Sequence, residues 1–490
     1  MNIFNTKLFD SAIRLIEKWY YIILIIILMV ASFNIFYNLG IVPIYSWDEA
    51  RHGVSAYEMI KNNNYIVNTY EYKNDYWNLK PPISYWAIIL GYKMAGFNAL
   101  GLRIISGVAA IITILIITAF SLYMHGRLAS LISAIVLSTT IPFITEHCAR
   151  TGDADSIYVF FFTIAMISLA LIEKNEKWLY GFGLSFALAF LTKSLHSGNI
   201  MVIGIVYLIF SKTLFKLKIK QIILLILTCC IPILIWSILR YKEDGIEFFK
   251  TIVKFDLVAR SSTVLEGHIG GYCYYIEHLQ WSYFYWNLIF VGTTMACIVL
   301  LYRYRYRYAE YKMIVNRILI IVLWIGVPFA LYTVVKTKIS WYVLPIFPAM
   351  ALSIGSTSSL LLKEKNRNII TQILLIAMII TSICKSEEVI KSRISNPEKD
   401  LNQELIQDLG ELPEYRSWII YINHYEQSYW LSSELYADLA PVEGGAEGFL
   451  EDNHDNTLLF ITKEDASVLG KEKDNLKVVL ENESAYIFSK

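Results

Sequence analysis

Long apolar runs, repeated from residue 19 to residue 384, limit the possible folds of this chain more than any other feature. A helix that crosses a bilayer needs roughly 17–25 mostly apolar residues. Runs of that kind fall at 19–39, 102–123, 128–144, 156–172, 178–193, 197–210, 221–239, 283–301, 317–335, 341–361 and 368–384. The run at 197–210 is short, which suits a broken or re-entrant hairpin with its neighbour. Hydrophobic residues make up 56% of the 490 and charged residues 17%, against the ~25% charged that is usual in soluble domains. That much apolar surface cannot be hidden in a water-soluble core. The expectation is a mainly α, polytopic membrane protein of about eleven transmembrane helices. The first run, from Trp19 to Leu39, is too long for a signal-peptide core and is expected to stay as a helix.

Charge gives the orientation. Lys212, Lys216, Lys218 and Lys220 form one basic loop, Arg303, Arg305, Arg307 and Lys312 a second, and Lys363, Lys365 and Arg367 a third. With eleven spans all three fall on one side, joined by Lys7, Arg14 and Lys18, and the positive-inside rule makes that side cytoplasmic. Counting residues 82–97 as a further span would turn the later basic loops outward. That stretch is short and interrupted by Gly91 and Lys93, so it reads as an interfacial helix in the first outer loop.

The regions 40–101, 145–155 and 240–282 are then outer loops of a membrane domain at 1–384. Residues 385–490 hold 10 Lys and Arg against 22 Asp and Glu, a balance of −12, while the rest of the chain balances at +13. The acidic tail, with strand-like WIIYI (418–422) and TLLFIT (457–462), reads as a small extracytoplasmic α/β domain. The cysteines Cys148, Cys229, Cys230, Cys273, Cys297 and Cys384 show no C-x-x-C or His-paired spacing, hence no disulfide or zinc framework.

The outer loops carry the residues fit for chemistry. Directly after the first run comes Tyr45-Ser-Trp-Asp48-Glu49-Ala-Arg51. Neighbouring helical residues do not share a face, so at most one of the two acids should point at a given ligand. Asp48 reads equally as a cap of the following helix. Lys80 precedes Pro81-Pro82, which can start a helix whose positive end suits a phosphate; a lysine snorkelling at the interface is the plainer reading.

Asp153 and Asp155 in the second loop share a side only in extended chain, where they can offer two oxygens to a metal or a sugar; Asp155 or Ser156 can equally cap the next helix. Lys193 and His196 sit at the outer end of a run. Arg260 and Glu266-Gly-His268 fall in the third loop, and Lys336, Lys338, Trp341 and Tyr342 at the start of a later span.

In this order the pieces resemble the membrane glycosyltransferases of the GT-C fold, in the branch of protein O-mannosyltransferases and aminoarabinose–lipid A transferases. The resemblance runs over roughly 40–350. It rests on Asp48-Glu49-Ala-Arg51, Ala56-x-Glu58-Met59, Lys80-Pro81-Pro82 with Tyr85-Trp86, Arg103, Arg150 to Asp155, Leu191-Thr192-Lys193, Glu266-Gly-His268 and Tyr342-Val-Leu-Pro345 with Pro348.

The resemblance implies inverting transfer of a sugar from a polyprenyl-phosphate carrier to a lipid, glycan or protein acceptor. In that family the first-loop aspartate is catalytic, which here is Asp48, with Glu49 beside it. Arg51, Lys80, Arg103, Lys193, Arg260, His268, Lys338 and Tyr342 are the expected donor-phosphate set, and Asp153 and Asp155 the acidic second loop. No cofactor is certain. A divalent metal stays open, with His268 its candidate ligand, although Leu79 stands where many members have an acidic or amide residue. The expected setting is a bacterial inner membrane with its lipids around the spans and the site outside; nucleic acid is not an expected partner. The alternative is a transporter of polyprenyl-linked lipids or glycans, which should show midplane charges and repeated halves; no repeat is visible.

Overall fold

The computed structural model describes residues 2–304, 308–364 and 369–490. Arg305, Arg307, Lys365 and Arg367 of the basic loops lie outside the described residues. Six helices or helix runs are long and apolar enough to cross a membrane: Ala99–His125, Trp178–Phe210, Ile219–Asp244, Val315–Val334, Ser340–Lys363 and Ile369–Ser395. Two bent pairs, Phe9–Lys18 with Tyr20–Phe36 and Tyr274–Ser282 with Phe284–Val299, raise this to eight if each is one span.

The expected eleven is more than helix length and composition support among the described residues. The runs 128–144 and 156–172 yield shorter helices, Arg127–Ser138 and Asp155–Leu171. The first ends where Thr139 turns its hydroxyl back onto the Ile135 carbonyl at 2.7 Å. Runs 178–193 and 197–210 form helices Trp178–Lys193 and Gly198–Phe210, joined by the tight turn Ser194–Ser197. A further helix, Asn2–Lys18, precedes the first run, and its part Phe9–Lys18 meets Tyr20–Phe36 at 71°. Its Lys7, Arg14 and Lys18 keep it from reading as an apolar run.

One end of the bundle gathers the elements that build the site. Asp48–Lys61 is a helix, followed by the hairpin β1 (Thr69–Tyr70) and β2 (Lys73–Asn74) and by the helix Pro82–Ala95. Pro82 sits in the first turn, where its missing N–H costs nothing. Pro82–Ala95 is too short to span a bilayer and packs on Asp48–Lys61 and Ala99–His125. The second contact is very close: a Cβ at Gly91 would come within 2.1 Å of the Gly101 carbonyl oxygen.

The last apolar helix passes through residue 385 to Ser395, and the C-terminal unit begins at Leu401–Leu409. Asp400 caps that helix by accepting the N–H groups of Asn402 and Gln403. The α/β character expected of the tail is present. Strands β3 (Ile419–Ile422), β4 (Ala440–Val442), β5 (Thr457–Thr462), β6 (Lys477–Glu481) and β7 (Ala485–Ser489) form one sheet in the order β4-β3-β5-β7-β6. β3 is parallel to β4 and β5, and β7 is antiparallel to β5 and β6.

This unit is built onto the first outer loop. Ala50, Val54 and Tyr57 share a buried apolar cluster with Leu405, Trp430, Leu431 and Leu435. A Cβ at Gly53 would meet a Leu431 methyl at 2.3 Å, so any larger residue would make that side chain shift where helices Asp48–Lys61 and Gln427–Ala437 pack. Ile44 and Gln403 exchange two hydrogen bonds of 2.9 Å.

Candidate active site

The loops 40–101, 145–155 and 240–282 and the helix ends beside them enclose a cavity of about 430 Å³. Asp48 and Lys80 come from the first loop, His147, Asp153 and Asp155 from the second, and Asp256, Arg260, Glu266 and His268 from the third; Lys193, His196 and Tyr342 complete its charged and polar wall. Segments up to 296 residues apart in sequence thus meet, as Ser46 and Tyr342 do. Trp47, Trp77 and Trp341 add apolar ring faces, which suit the faces of a sugar.

Asp48 opens its helix behind Trp47, whose φ of 66° lies in the left-handed region that bulky residues avoid. His52, one turn on, bonds its Nδ1 to the Asp48 backbone oxygen at 2.7 Å and is fully buried. The Asp48 carboxylate remains at the cavity wall.

Glu49 points the other way. It accepts two hydrogen bonds from Arg103, at 2.7 and 2.6 Å, and one each from the backbone N–H of Tyr45 at 2.9 Å and of Gly152 at 2.7 Å. Arg103 spends its other donors on the carbonyls of Leu39, Val42 and Pro43. Both side chains are buried. Glu49 and Arg103, expected in the catalytic and phosphate-binding sets, therefore tie the first and second outer loops to helix Ala99–His125 and do not border the cavity.

Two further expected phosphate ligands are committed elsewhere. Arg51 makes a two-point ion pair with Asp75, at 3.1 and 3.0 Å, between the rings of Tyr70 and Trp77. Burial works against its charge, but Asp75 outweighs that and raises its pKa. Lys338 is buried and donates to the carbonyls of Tyr332, Thr333 and Val335, the open end of helix Tyr308–Val334.

Lys193 does border the cavity, with its Nζ 2.5 Å from Asp155. Arg260 binds Asp256 at 3.2 Å and donates to the Tyr342 hydroxyl at 3.2 Å. His268 follows the left-handed pair Glu266 and Gly267 and meets the ring of Trp341 edge-on. Lys80 lines the cavity ahead of helix Pro82–Ala95.

Sequence reading missed His147. It stacks on Trp341, with ring centres 3.7 Å apart, and bonds Asp153 at 3.1 Å. Burial lowers the His147 pKa, and Asp153 more than reverses this, so the imidazolium is favoured. Burial likewise would raise Asp153; the bond from His147 and the nearby His52 and Lys193 hold it below the carboxylate range.

Asp48, His147 and Asp153 each offer a ligand atom within 4.8 Å of the others, the one group with metal-ligand spacing among the described residues. Two hard oxygens and an imidazole suit a divalent ion. His268, the expected metal ligand, is not part of that group, although its ring also meets Trp341. No local motif announces His147: its signal is the contact with Trp341, 194 residues away.

Residues 79–236 match the family model of dolichyl-phosphate-mannose-protein mannosyltransferase. The structure aligns with that of ArnT from Cupriavidus metallidurans bound to undecaprenyl phosphate at a TM-score of 0.70, covering 96% of this chain and 98% of that one at 12% identity. The chain has the ArnT fold. It resembles the GT-C membrane glycosyltransferases, as the ordered motifs implied.

The Archaeoglobus fulgidus oligosaccharyltransferase aligns more loosely, at a TM-score of 0.55 and 9% identity over 92% of this chain and 70% of its own. In sequence, an uncharacterized protein of Aquifex aeolicus is 26% identical over 68% of this chain. The undecaprenyl phosphate-alpha-4-amino-4-deoxy-L-arabinose arabinosyl transferase of Aeromonas hydrophila is 24% identical over 66%. The matches span 64% and 57% of those two relatives' lengths. The named relatives are transferases, not transporters.

Proposed function

We propose that the chain transfers a sugar from a polyprenyl-phosphate carrier to an acceptor on the outer face of the membrane, by one inverting displacement in the Asp48 cavity. The observation that carries this reading is the meeting of one carboxylate, Asp48, with Lys80, Arg260 and His268 in a single cavity at the end of an apolar bundle. In this reading the basic loops face the cytoplasm, and the cavity and the C-terminal unit face outward.

Asp48 takes the proton of an acceptor hydroxyl or amine as that atom bonds to the anomeric carbon. The bond from that carbon to the phosphate oxygen breaks, and its electron pair leaves with the polyprenyl phosphate. A phosphate is already a stable anion, so no partner acid is needed, unlike glycoside hydrolysis, where the leaving oxygen must be protonated. Lys80, Arg260 and His268 supply fixed positive charge to it. Asp155 holds Lys193 at the same wall, and Tyr342 orients Arg260. Asp48, His147 and Asp153 are the residues that would hold a divalent cation, whose chemistry there would be to neutralise phosphate charge. Glu49, Arg103, Arg51 and Lys338 hold the scaffold.

The test is turnover by the purified protein in detergent, with synthetic short-chain polyprenyl-phosphate sugars and a cell-envelope extract as acceptor. Free polyprenyl phosphate should appear in step with a product of inverted anomeric configuration. A folded protein that releases no polyprenyl phosphate from any such donor would contradict the proposal.

A further inference from the structure

We infer that a cleft between two apolar helices, at the basic-loop end of the bundle, binds one anionic phospholipid of the surrounding bilayer. Helices Phe284–Tyr304 and Tyr308–Val334 follow one another in the chain but pack mainly on different neighbours. The first lies on Phe347–Lys363 and Ile369–Ser395, the second on Gly198–Phe210 and Ser340–Ile346. Between them remains a cleft of about 390 Å³, which Phe120, Met124 and Leu352 of two further helices also line. A Cβ at Gly326, on its wall, would meet no atom within 4 Å. Ile298, Ile318 and Val322 of the same wall are exposed, so the cleft opens onto the apolar surface that a bilayer covers. The Asp48 cavity lies toward the other end of helix Ala99–His125, whose Arg103 and His125 stand roughly 30 Å apart.

An apolar space of this kind in a membrane takes up hydrocarbon, because wall atoms left without neighbours forfeit their dispersion contacts. Its length selects the chain. Arg317 and Gly326 stand about 14 Å apart along helix Tyr308–Val334, near half of the ~30 Å hydrocarbon core of a bilayer. That is the reach of a phospholipid acyl chain within one leaflet; a polyprenyl chain is far longer.

Charge selects the headgroup. Arg317 and His125 border the cleft. Arg317, with Met124, Ala170 and Ile320, also borders an adjoining chamber of about 150 Å³, where Lys174 stands. The one carboxylate on either wall among the described residues is Glu173, which accepts a hydrogen bond of 2.6 Å from Asn316. By sequence, the stretch joining the two helices adds Arg303, Arg305 and Arg307, alternating with tyrosines and with no acid before Glu310. Basic pockets between transmembrane helices recognise anionic lipid headgroups, and tyrosines favour headgroup level. An apolar slot with cations gathered at one end matches a phospholipid, its chain in the cleft and its phosphate at Arg317 and Lys174. A chain seated there braces helix Tyr308–Val334, whose far end Lys338 caps beside the Asp48 cavity.

The test uses the delipidated full-length protein in detergent and phosphatidylglycerol with a photoreactive diazirine on one acyl chain. It needs no sugar transfer, so its outcome is separate from the reading of the Asp48 cavity. After irradiation, label should concentrate in peptides holding 290–298, 317–326 and 352–357, well above helix Ile219–Asp244, whose apolar window is only 11% buried. Unlabelled phosphatidylglycerol should displace it about tenfold better than phosphatidylcholine, as expected of more than one cation near the lipid phosphate. Arg317→Gln with Lys174→Gln should abolish that preference at an unchanged gel-filtration profile. Should the double variant fail to fold, Lys174→Gln alone, at an exposed site, should lower the preference severalfold. Gly326→Leu, which sends a side chain into the cleft, should cut labelling there several-fold. Labelling of helix Ile219–Asp244 equal to that of the cleft peptides overturns the site. Equal displacement by phosphatidylcholine overturns the headgroup, and stronger displacement by a polyprenyl phosphate overturns the occupant.

Discussion

Asp48 and Glu49 are neighbours at one helix start, yet they lie in opposite kinds of environment. Asp48 faces a cavity shared with cations and histidines from three loops. Glu49 is buried with all its bonds made inside the protein, to Arg103 and to the backbone of two outer loops. The first arrangement leaves a carboxylate available to a ligand. The second spends one to hold the first in place. The difference teaches that charge at this end of the bundle is not itself a sign of chemistry: Arg103, Arg51 and Lys338 are as fully committed as Glu49, whereas Lys80 and His268 border open space.

The largest expected effect lies on the buried side. Glu49→Ala leaves Arg103 without its counter-charge, and breaking a buried pair in this way typically costs about 3–5 kcal/mol. The variant should be recovered poorly and should unfold at a clearly lower temperature in detergent, followed by fluorescence-detected gel filtration. Normal stability would mean that the Glu49–Arg103 pair is not the clamp described.

On the cavity side the loss should be kinetic. Hydrogen bonds to charged groups are worth about 1.5–3 kcal/mol, so Lys80→Ala or Arg260→Ala should weaken use of the lipid donor by roughly 10–100-fold while the unfolding temperature stays near normal. Donor KM and melting curves measured on one preparation would check both halves. A large drop in stability with unchanged donor KM would move either residue to the structural group.

The smallest effect concerns the junction of helix Asp48–Lys61 with the C-terminal unit, where Glu58 and Glu434 are both buried. Burial raises Glu58 to about 7 and pushes Glu434 well above the carboxylate range, and the nearby Glu58 adds to the Glu434 shift. A carboxyl whose pKa is raised on folding stabilises the fold fully below its unfolded value and loses that contribution as pH rises through the folded one. Docking of the C-terminal unit should therefore loosen as pH rises from about 5 to about 8. Limited proteolysis across that range would show it, and Glu434→Gln should flatten the dependence. A wild-type protein that is equally resistant throughout would remove the junction from consideration.

Much of this was legible in the sequence. The apolar runs, the acidic α/β tail and the gathering of Asp48, Lys80, Asp153, Arg260, His268 and Tyr342 at one end of the bundle follow from hydropathy, charge and motif order. Adjacent residues on a helix do not share a face, so it was also legible that at most one of Asp48 and Glu49 would point into a given cavity. Which one was not decided locally, because Arg103 lies 54 positions away. His147 was hidden for the same reason, since its neighbour Trp341 is supplied by tertiary packing. The expected eleven spans exceed the six to eight that pass by length and composition among the described residues, because short helices such as Arg127–Ser138 are apolar and buried against other helices, a cause that hydropathy cannot separate from lipid contact.

The comparison at the centre of the account is tested most directly by two matched amides, Asp48→Asn and Glu49→Gln, assayed for sugar transfer from one synthetic polyprenyl-phosphate sugar and for melting temperature in the same detergent. Asp48→Asn keeps shape and removes proton acceptance, so its turnover should fall by about 10²–10⁴-fold, the usual worth of a general base, with melting unchanged. Glu49→Gln should show the reverse, a lowered melting temperature with far more of its turnover retained in the folded fraction. Near-normal transfer by a folded Asp48→Asn protein would contradict the account.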